Sequence, residues 1–136
     1  MSDNQREKIS YAKTVYGESE INVKCLNEST QMGNYSRKFE KIIADLFCKK
    51  ESLYVNSGSS ALYIGVESFD FPENSEVITP ALTFGTTIAC LIKNKITPVF
   101  VDVEPLTYCI DVSKIEKEIN KNTVAILAPN LMGNLC

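Results

Sequence analysis

Between Tyr35 and Phe47 the apolar side chains fall at Phe39, Ile42, Ile43, Leu46 and Phe47, while Arg37, Lys38, Glu40, Lys41 and Asp45 take the opposite face. That 3.6-residue spacing predicts an amphipathic helix. Upstream the pattern is weaker. Ile21 and Cys25 share a helical face within Glu18 to Cys25, which predicts a short leading helix, and residues 1–14 carry too little periodicity to be more than a flexible segment. Downstream, Leu53-Tyr54-Val55 is a β-rich run that stops at Asn56-Ser57-Gly58-Ser59-Ser60, after which Ala61, Leu62, Ile64 and Gly65 suit a closely packed helix. The expectation is strand, tight turn, helix.

The same alternation continues. Val77-Ile78-Thr79 is a strand closed by Pro80, and Phe84 to Asn94 reads as the next helix. Thr97 to Val103 is a further strand with Pro98 near its start, where a missing N–H is tolerated. Asp102 then suits turn or capping use. Asp111 is placed to cap a helix that buries Val112, Ile115 and Ile119, and Thr123 to Ala128 is a nearly continuous apolar strand. Parallel strands need crossover connections that lay helices over the sheet, so the order predicts an α/β fold with a mostly parallel sheet and flanking helices. The sequence ends at Gly133-Asn134-Leu135-Cys136, just past a buried-type strand with no helix to cover it, and the expectation is a truncated domain over residues 15–136.

A length of 136 residues suffices for one core and not for two ordinary domains. Fourteen basic against seventeen acidic side chains leave a net charge of -3 with no basic run to follow a phosphate backbone or an anionic surface, which argues against nucleic acid and membrane as partners. The polar N-terminus has no hydrophobic signal region, and a cytoplasmic location is expected. The five cysteines are widely spaced without a Cys-x-x-Cys pair, so reduced, mostly buried thiols are expected and no metal site. Histidine is absent, which removes Ser-His and Cys-His nucleophile pairs from this stretch.

Two segments carry candidate chemistry. Ser57-Gly58-Ser59-Ser60-Ala61 lies between a predicted strand and helix, where free N–H groups and hydroxyls suit a phosphate. On the residues alone two readings stand: an anion cradle, or an ordinary capped helix start with Ser59 as N-cap and Gly58 as turn residue. The turn has neither the Walker spacing nor the Gly-x-Gly-x-x-Gly of dinucleotide sites. In Pro80-Ala81-Leu82-Thr83-Phe84-Gly85, an aromatic ring follows the carboxyl end of a strand, the edge where open α/β sheets bind ligands. Phe84 is either a face for a planar cofactor or a core phenylalanine.

Taken in order, Val55-Asn56-Ser57-Gly58-Ser59-Ser60-Ala61-Leu62, Ser75 to Phe84, and Pro98-Val99-Phe100-Val101-Asp102-Val103 resemble the DegT/DnrJ family of sugar aminotransferases and dehydrases. Tyr16 to Ile21, Phe39-Glu40 and Tyr108-Cys109-Ile110-Asp111 are similar to further family segments, so the resemblance covers the chain from about Val15. It implies the N-terminal part of an aspartate-aminotransferase-type large domain (fold type I) and a pyridoxal 5'-phosphate or pyridoxamine 5'-phosphate cofactor. It also implies a nucleotide-linked keto-sugar with an amino donor as substrates, in cell-surface polysaccharide or deoxyaminosugar biosynthesis, and a homodimer at full length.

By position the resemblance gives Gly58, Ser59 and Ser60 to the cofactor phosphate and Phe84 to its pyridine ring. The family's pyridine-nitrogen aspartate and Schiff-base lysine, or the histidine of one dehydrase branch, come later than Cys136. No residue here is therefore a catalytic candidate, and the isolated chain is expected to be inactive. Asn130 stands where many members carry a histidine, and the Gly133-Asn134 ending is more like the pyridoxamine-phosphate-dependent CDP-sugar 3-dehydrases. A dehydrase fragment is thus the alternative to an aminotransferase fragment, and a non-catalytic remnant is the other.

Overall fold

The structure, a computed structural model, describes Gly17 and residues 31–136. The leading helix expected at Glu18 to Cys25 and the flexible stretch 1–14 lie outside the described residues. The chain divides into two compact units, Met1–Tyr54 and Val55–Cys136.

In the first unit, helix α1 (Asn34–Leu46) realises the expected amphipathic pattern. Ala44 is its buried residue, whereas Phe39, Ile42 and Leu46 are exposed. The helix stops at Phe47 because Cys48 adopts a left-handed backbone (φ 52) that turns the Lys49 N–H back onto the Ala44 carbonyl at 2.8 Å. Leu53-Tyr54 is not a strand, contrary to expectation. Its neighbourhood is bonded to the helix instead of a sheet: Ser52 Oγ donates to the Glu40 carbonyl (2.6 Å) and the Tyr54 N–H to Glu40 Oε1 (2.9 Å). The Tyr54 ring meets Phe39 edge-on at 5.6 Å. Local β-propensity gave way to a helix-bound strap.

The second unit contains α2 (Gly58–Glu67), β1 (Glu76–Pro80), α3 (Gly85–Lys93), β2 (Thr97–Val101) and β3 (Thr123–Ile126). The sheet is wholly parallel in the order β2-β1-β3. β1 is therefore central, which its sequence requires, since Val77, Ile78 and Thr79 are all buried and face both sides. Val77 packs with Cys90, Leu91 and Ile96, against which Leu62, Tyr63 and Val66 of α2 close. Ile78, one residue on, faces the other way into Val101, Ile110 and Ile115. The expected α/β layering is present, with α2 and α3 on one face. β2 is an edge strand among the described residues and accommodates Pro98 there.

One expected helix is replaced. Asp111 caps as anticipated, its Oδ1 accepting from the Ser113 N–H at 3.1 Å. The helix it starts breaks into two 3₁₀ turns, Val112–Lys114 and Glu116–Glu118, and only Ile115 of the three apolar positions is buried. Asp111 and Ser113 bind each other's groups, and Asn120 receives the Asn122 N–H while giving its own N–H to Thr123 Oγ1. Side chains that satisfy nearby backbone groups compete with α-helical bonding.

Candidate functional site

The helix start at Gly58 is organised by its neighbours on the N-terminal side. Ser57, in extended backbone, is the N-cap, and its Oγ accepts the Ser60 N–H at 3.1 Å. Ser60 Oγ donates to Asn56 Oδ1 (2.6 Å) and lies 3.1 Å from Ser57 Oγ. The cap is thus Ser57 and not Ser59, and Asn56 with Ser57, which the sequence reading did not single out, holds the turn. The signal was available: an extended serine followed three residues later by a second hydroxyl is the spacing of an N-cap bonding the N3 amide.

This bonding sorts the three expected phosphate residues. The Ser60 amide and hydroxyl are already engaged. Among the described residues, the amides of Gly58 and Ser59 and the Ser59 hydroxyl find no partner in the chain. A methyl group placed on Gly58 would meet nothing within 4 Å. The start of α2 therefore presents two N–H donors, one hydroxyl and open space, with the positive end of the helix behind them.

Phe84 is the N-cap residue of α3 and is 70% exposed, which removes the core-phenylalanine reading. Its loop is fixed on both sides. Ala81 N–H donates to the Val101 carbonyl (2.8 Å), tying the loop to the end of β2, and the Thr87 N–H returns to the Phe84 carbonyl at 2.9 Å. Thr83 Oγ1 donates to Thr87 Oγ1 of the buried Thr87 at 3.0 Å. The ring is carried on a loop hydrogen-bonded on both sides and is exposed.

α2 and α3 pack together, and their C-terminal residues Val66, Glu67, Lys93 and Asn94 line a common cavity of about 300 Å³. Lys93 Nζ also lies 4.8 Å from the Tyr63 ring centre. Because α3 leaves the carboxyl end of β1, Phe84 lies at the carboxyl edge of the sheet.

Other expected features have ordinary structural partners. Asp102 Oδ1 accepts the Val103 N–H (2.8 Å) and Oδ2 the Lys114 ammonium (3.4 Å), so the residue serves its turn as expected. The backbone bond, then Lys114, hold its carboxyl below the usual value. Asp111 is likewise lowered, first by Ser113 and then by Lys114, whose own pKa is raised by the Asp111 bond at 3.0 Å. Lys95 pairs with Glu73 at the surface. Thr79 Oγ1, unforeseen, is buried on central β1 without a hydrogen-bond partner. No group of three or more His, Cys, Asp or Glu side chains suited to a metal occurs among the described residues. Nor is any described helix long and apolar enough to cross a membrane.

Known proteins resemble the chain throughout. A GDP-perosamine synthase of Caulobacter vibrioides is 29% identical over 138 residues, covering 100% of this chain and 37% of that protein. A GDP-4-keto-6-deoxy-D-mannose 3-dehydratase of Yersinia pseudotuberculosis is 33% identical over 132 residues, covering 90% and 34%. Among solved structures, an E. coli GDP-4-keto-6-deoxy-D-mannose-3-dehydratase with bound hydrated PLP superposes with a TM-score of 0.80 at 27% identity, over 90% of this chain and 34% of that one. The chain spans about a third of the length of these relatives. The DegT/DnrJ/EryC1/StrS aminotransferase family matches residues 18–136, and the chain belongs to that family.

Proposed function

We propose that the full-length protein is a pyridoxal-phosphate-dependent aminotransferase acting on a nucleotide-linked keto-sugar, and that this chain is its cofactor-phosphate-holding part. The observation that carries the reading is the set of unpartnered donors at Gly58 and Ser59, and the exposed Phe84 ring at the start of the next helix supports it. Two amides and a hydroxyl at a helix start fit a phosphate, and an outward aromatic face fits a planar heterocycle. The cofactor, when bound, supplies an electron sink for moving an amino group from a donor to the sugar. Gly58 and Ser59 hold its phosphate, Ser60 holds the turn through Asn56, and Phe84 orients the ring.

The reading carries with it a cytoplasmic location, a homodimer at full length and an inactive isolated chain. A dehydratase that uses pyridoxamine 5'-phosphate is the second reading. It is favoured by Asn130 in place of the histidine of many members and by the similarity to the Yersinia dehydratase.

Titration of the purified chain with pyridoxamine 5'-phosphate by calorimetry tests the site. Pyridoxamine without the phosphate should bind much more weakly. Ser59→Ala should weaken binding of the phosphate form by roughly 10-fold or more, the worth of a hydrogen bond to a charged group. Ser60→Ala should have a smaller effect, and Phe84→Ala should weaken both forms. Equal affinity for the two compounds, or an unaffected Ser59→Ala, would remove the cradle.

A further inference from the structure

The hydroxyl protons of the turn before α2 all run in one direction. Ser60 Oγ donates to Asn56 Oδ1 at 2.6 Å, and a serine hydroxyl has one proton to give. The Ser57 proton is left for Ser60 Oγ at 3.1 Å or for Asn56 Oδ1 at 3.5 Å. By either route the chain of hydroxyls ends on the Asn56 carboxamide oxygen. The Ser57 oxygen meanwhile accepts the Ser60 N–H at 3.1 Å, so the cap and the Asn56 side chain form one network.

Only half of the Asn56 side chain takes part. Its NH₂ group has no partner among the described residues, and the residue is exposed. A carboxylate here would therefore offer the same oxygen to Ser60 without losing a bond. It would also stabilise the start of a ten-residue helix, where negative charge is favoured. The chain instead carries a neutral acceptor, which leaves the positive field of the helix start to an anion approaching Gly58 and Ser59.

We infer that Asn56 is a positioning residue for the phosphate. It takes the Ser60 hydroxyl, so that the donors left for an anion are those of Gly58 and Ser59. It does so without charge, so that no anion of the chain's own competes with the phosphate for the helix start. This role rests on the phosphate reading of the turn and deepens it: the site requires at position 56 an acceptor that is not an anion.

The two requirements separate by substitution. Asn56→Asp keeps the acceptor and adds a charge, whereas Asn56→Ala removes the acceptor and adds none. A residue that only held the fold would tolerate the first better than the second. A residue that serves an anion tolerates the first worse.

Calorimetric titration of the purified chain with pyridoxamine 5'-phosphate and with pyridoxamine, paired with thermal unfolding, is the test. Asn56→Asp should raise the Kd of the phosphate form by about 10-fold, leave that of pyridoxamine unchanged, and unfold at the same temperature or slightly higher. Added salt should narrow the gap between Asn56→Asp and the parent, because the new repulsion is screened. Asn56→Ala and Ser60→Ala remove the same bond, so each should weaken the phosphate form by a similar, smaller factor, and the double variant should be no worse than either. An Asn56→Asp variant that binds the phosphate form as tightly as the parent, weakens both compounds alike, or unfolds many degrees lower would overturn the role of Asn56. So would alanine effects that add. A parent chain that does not distinguish the two compounds removes the cradle, and the role of Asn56 with it. A parent that distinguishes them and responds to Ser59→Ala, beside an Asn56→Asp variant that binds like the parent, removes the role of Asn56 alone.

Discussion

Gly58→Ala separates folding from binding at the proposed cradle. The added methyl meets nothing within 4 Å, and Gly58 does not adopt a left-handed backbone, so the folded chain accepts alanine without strain. Gly-to-Ala replacement at a compatible site stabilises by about 0.4–1 kcal/mol, mainly by restricting the unfolded chain. The variant should therefore unfold at the same temperature or a few degrees higher. Binding should move the other way. The open space beside the Gly58 and Ser59 amides is where a phosphate oxygen has to approach, and a methyl there blocks at least one charge-assisted hydrogen bond, worth about 1.5–3 kcal/mol. That corresponds to roughly 10- to 150-fold in Kd. Thermal unfolding monitored by circular dichroism, paired with calorimetric titration of pyridoxamine 5'-phosphate, reads both quantities on one preparation. Opposite signs are the signature expected. A variant that binds as tightly as the parent would refute the placement of the phosphate, and one that unfolds many degrees lower would refute the account of Gly58 as sterically free.

The buried Thr79 hydroxyl has no partner, and leaving such a group unsatisfied costs about 1–3 kcal/mol. Thr79→Val keeps the shape and should raise the unfolding temperature by roughly 4 °C per kcal/mol recovered in a chain of this size; a lower temperature would show that the hydroxyl is used. The Asp102–Lys114–Asp111 cluster gives a pH signature. The two lowered carboxylates contribute above their ordinary value of 3.8 and lose that contribution as pH falls through their folded pKa values. Raised Lys114 contributes below its ordinary 10.5 and stops doing so as pH rises through its folded value. Hydrogen exchange at the Val103 and Ser113 amides should therefore show protection that fades in strong acid, and screening by salt should keep the effect small.

The sheet was legible because its signals are redundant. Val77-Ile78-Thr79 and Thr97 to Val101 are apolar, β-branched and bounded by prolines or turns, so pattern, propensity and punctuation agree. The starts of α2 and α3 were legible for the same reason, each following a sharp break in composition. What failed were runs whose local preference was outweighed by a partner elsewhere. Leu53-Tyr54-Val55 has strand composition, yet Glu40, some fourteen residues earlier, captures the backbone at Tyr54. The Asp111 to Ile119 stretch has helical spacing, but Asp111 at its start and Asn120 just past its end accept nearby backbone N–H groups and compete with the α-helical bonds.

The candidate site was legible by residue but not by role. Gly58, Ser59 and Ser60 are adjacent in sequence and look interchangeable as phosphate groups, but the hydrogen-bond geometry divides them. Ser60 is committed on both its amide and its hydroxyl to Ser57 and Asn56, and this commitment is what leaves Gly58 and Ser59 unpaired. A helix start has more donors than its own chain can satisfy, so capping one amide fixes which others remain for a ligand. Ser57 caps through Ser60, and the donors left over are those next to the only residue in the turn without a side chain. A phosphate at this site would meet a donor set decided by the cap, which makes Asn56 and Ser57 as informative about the site as the residues that would touch the ligand.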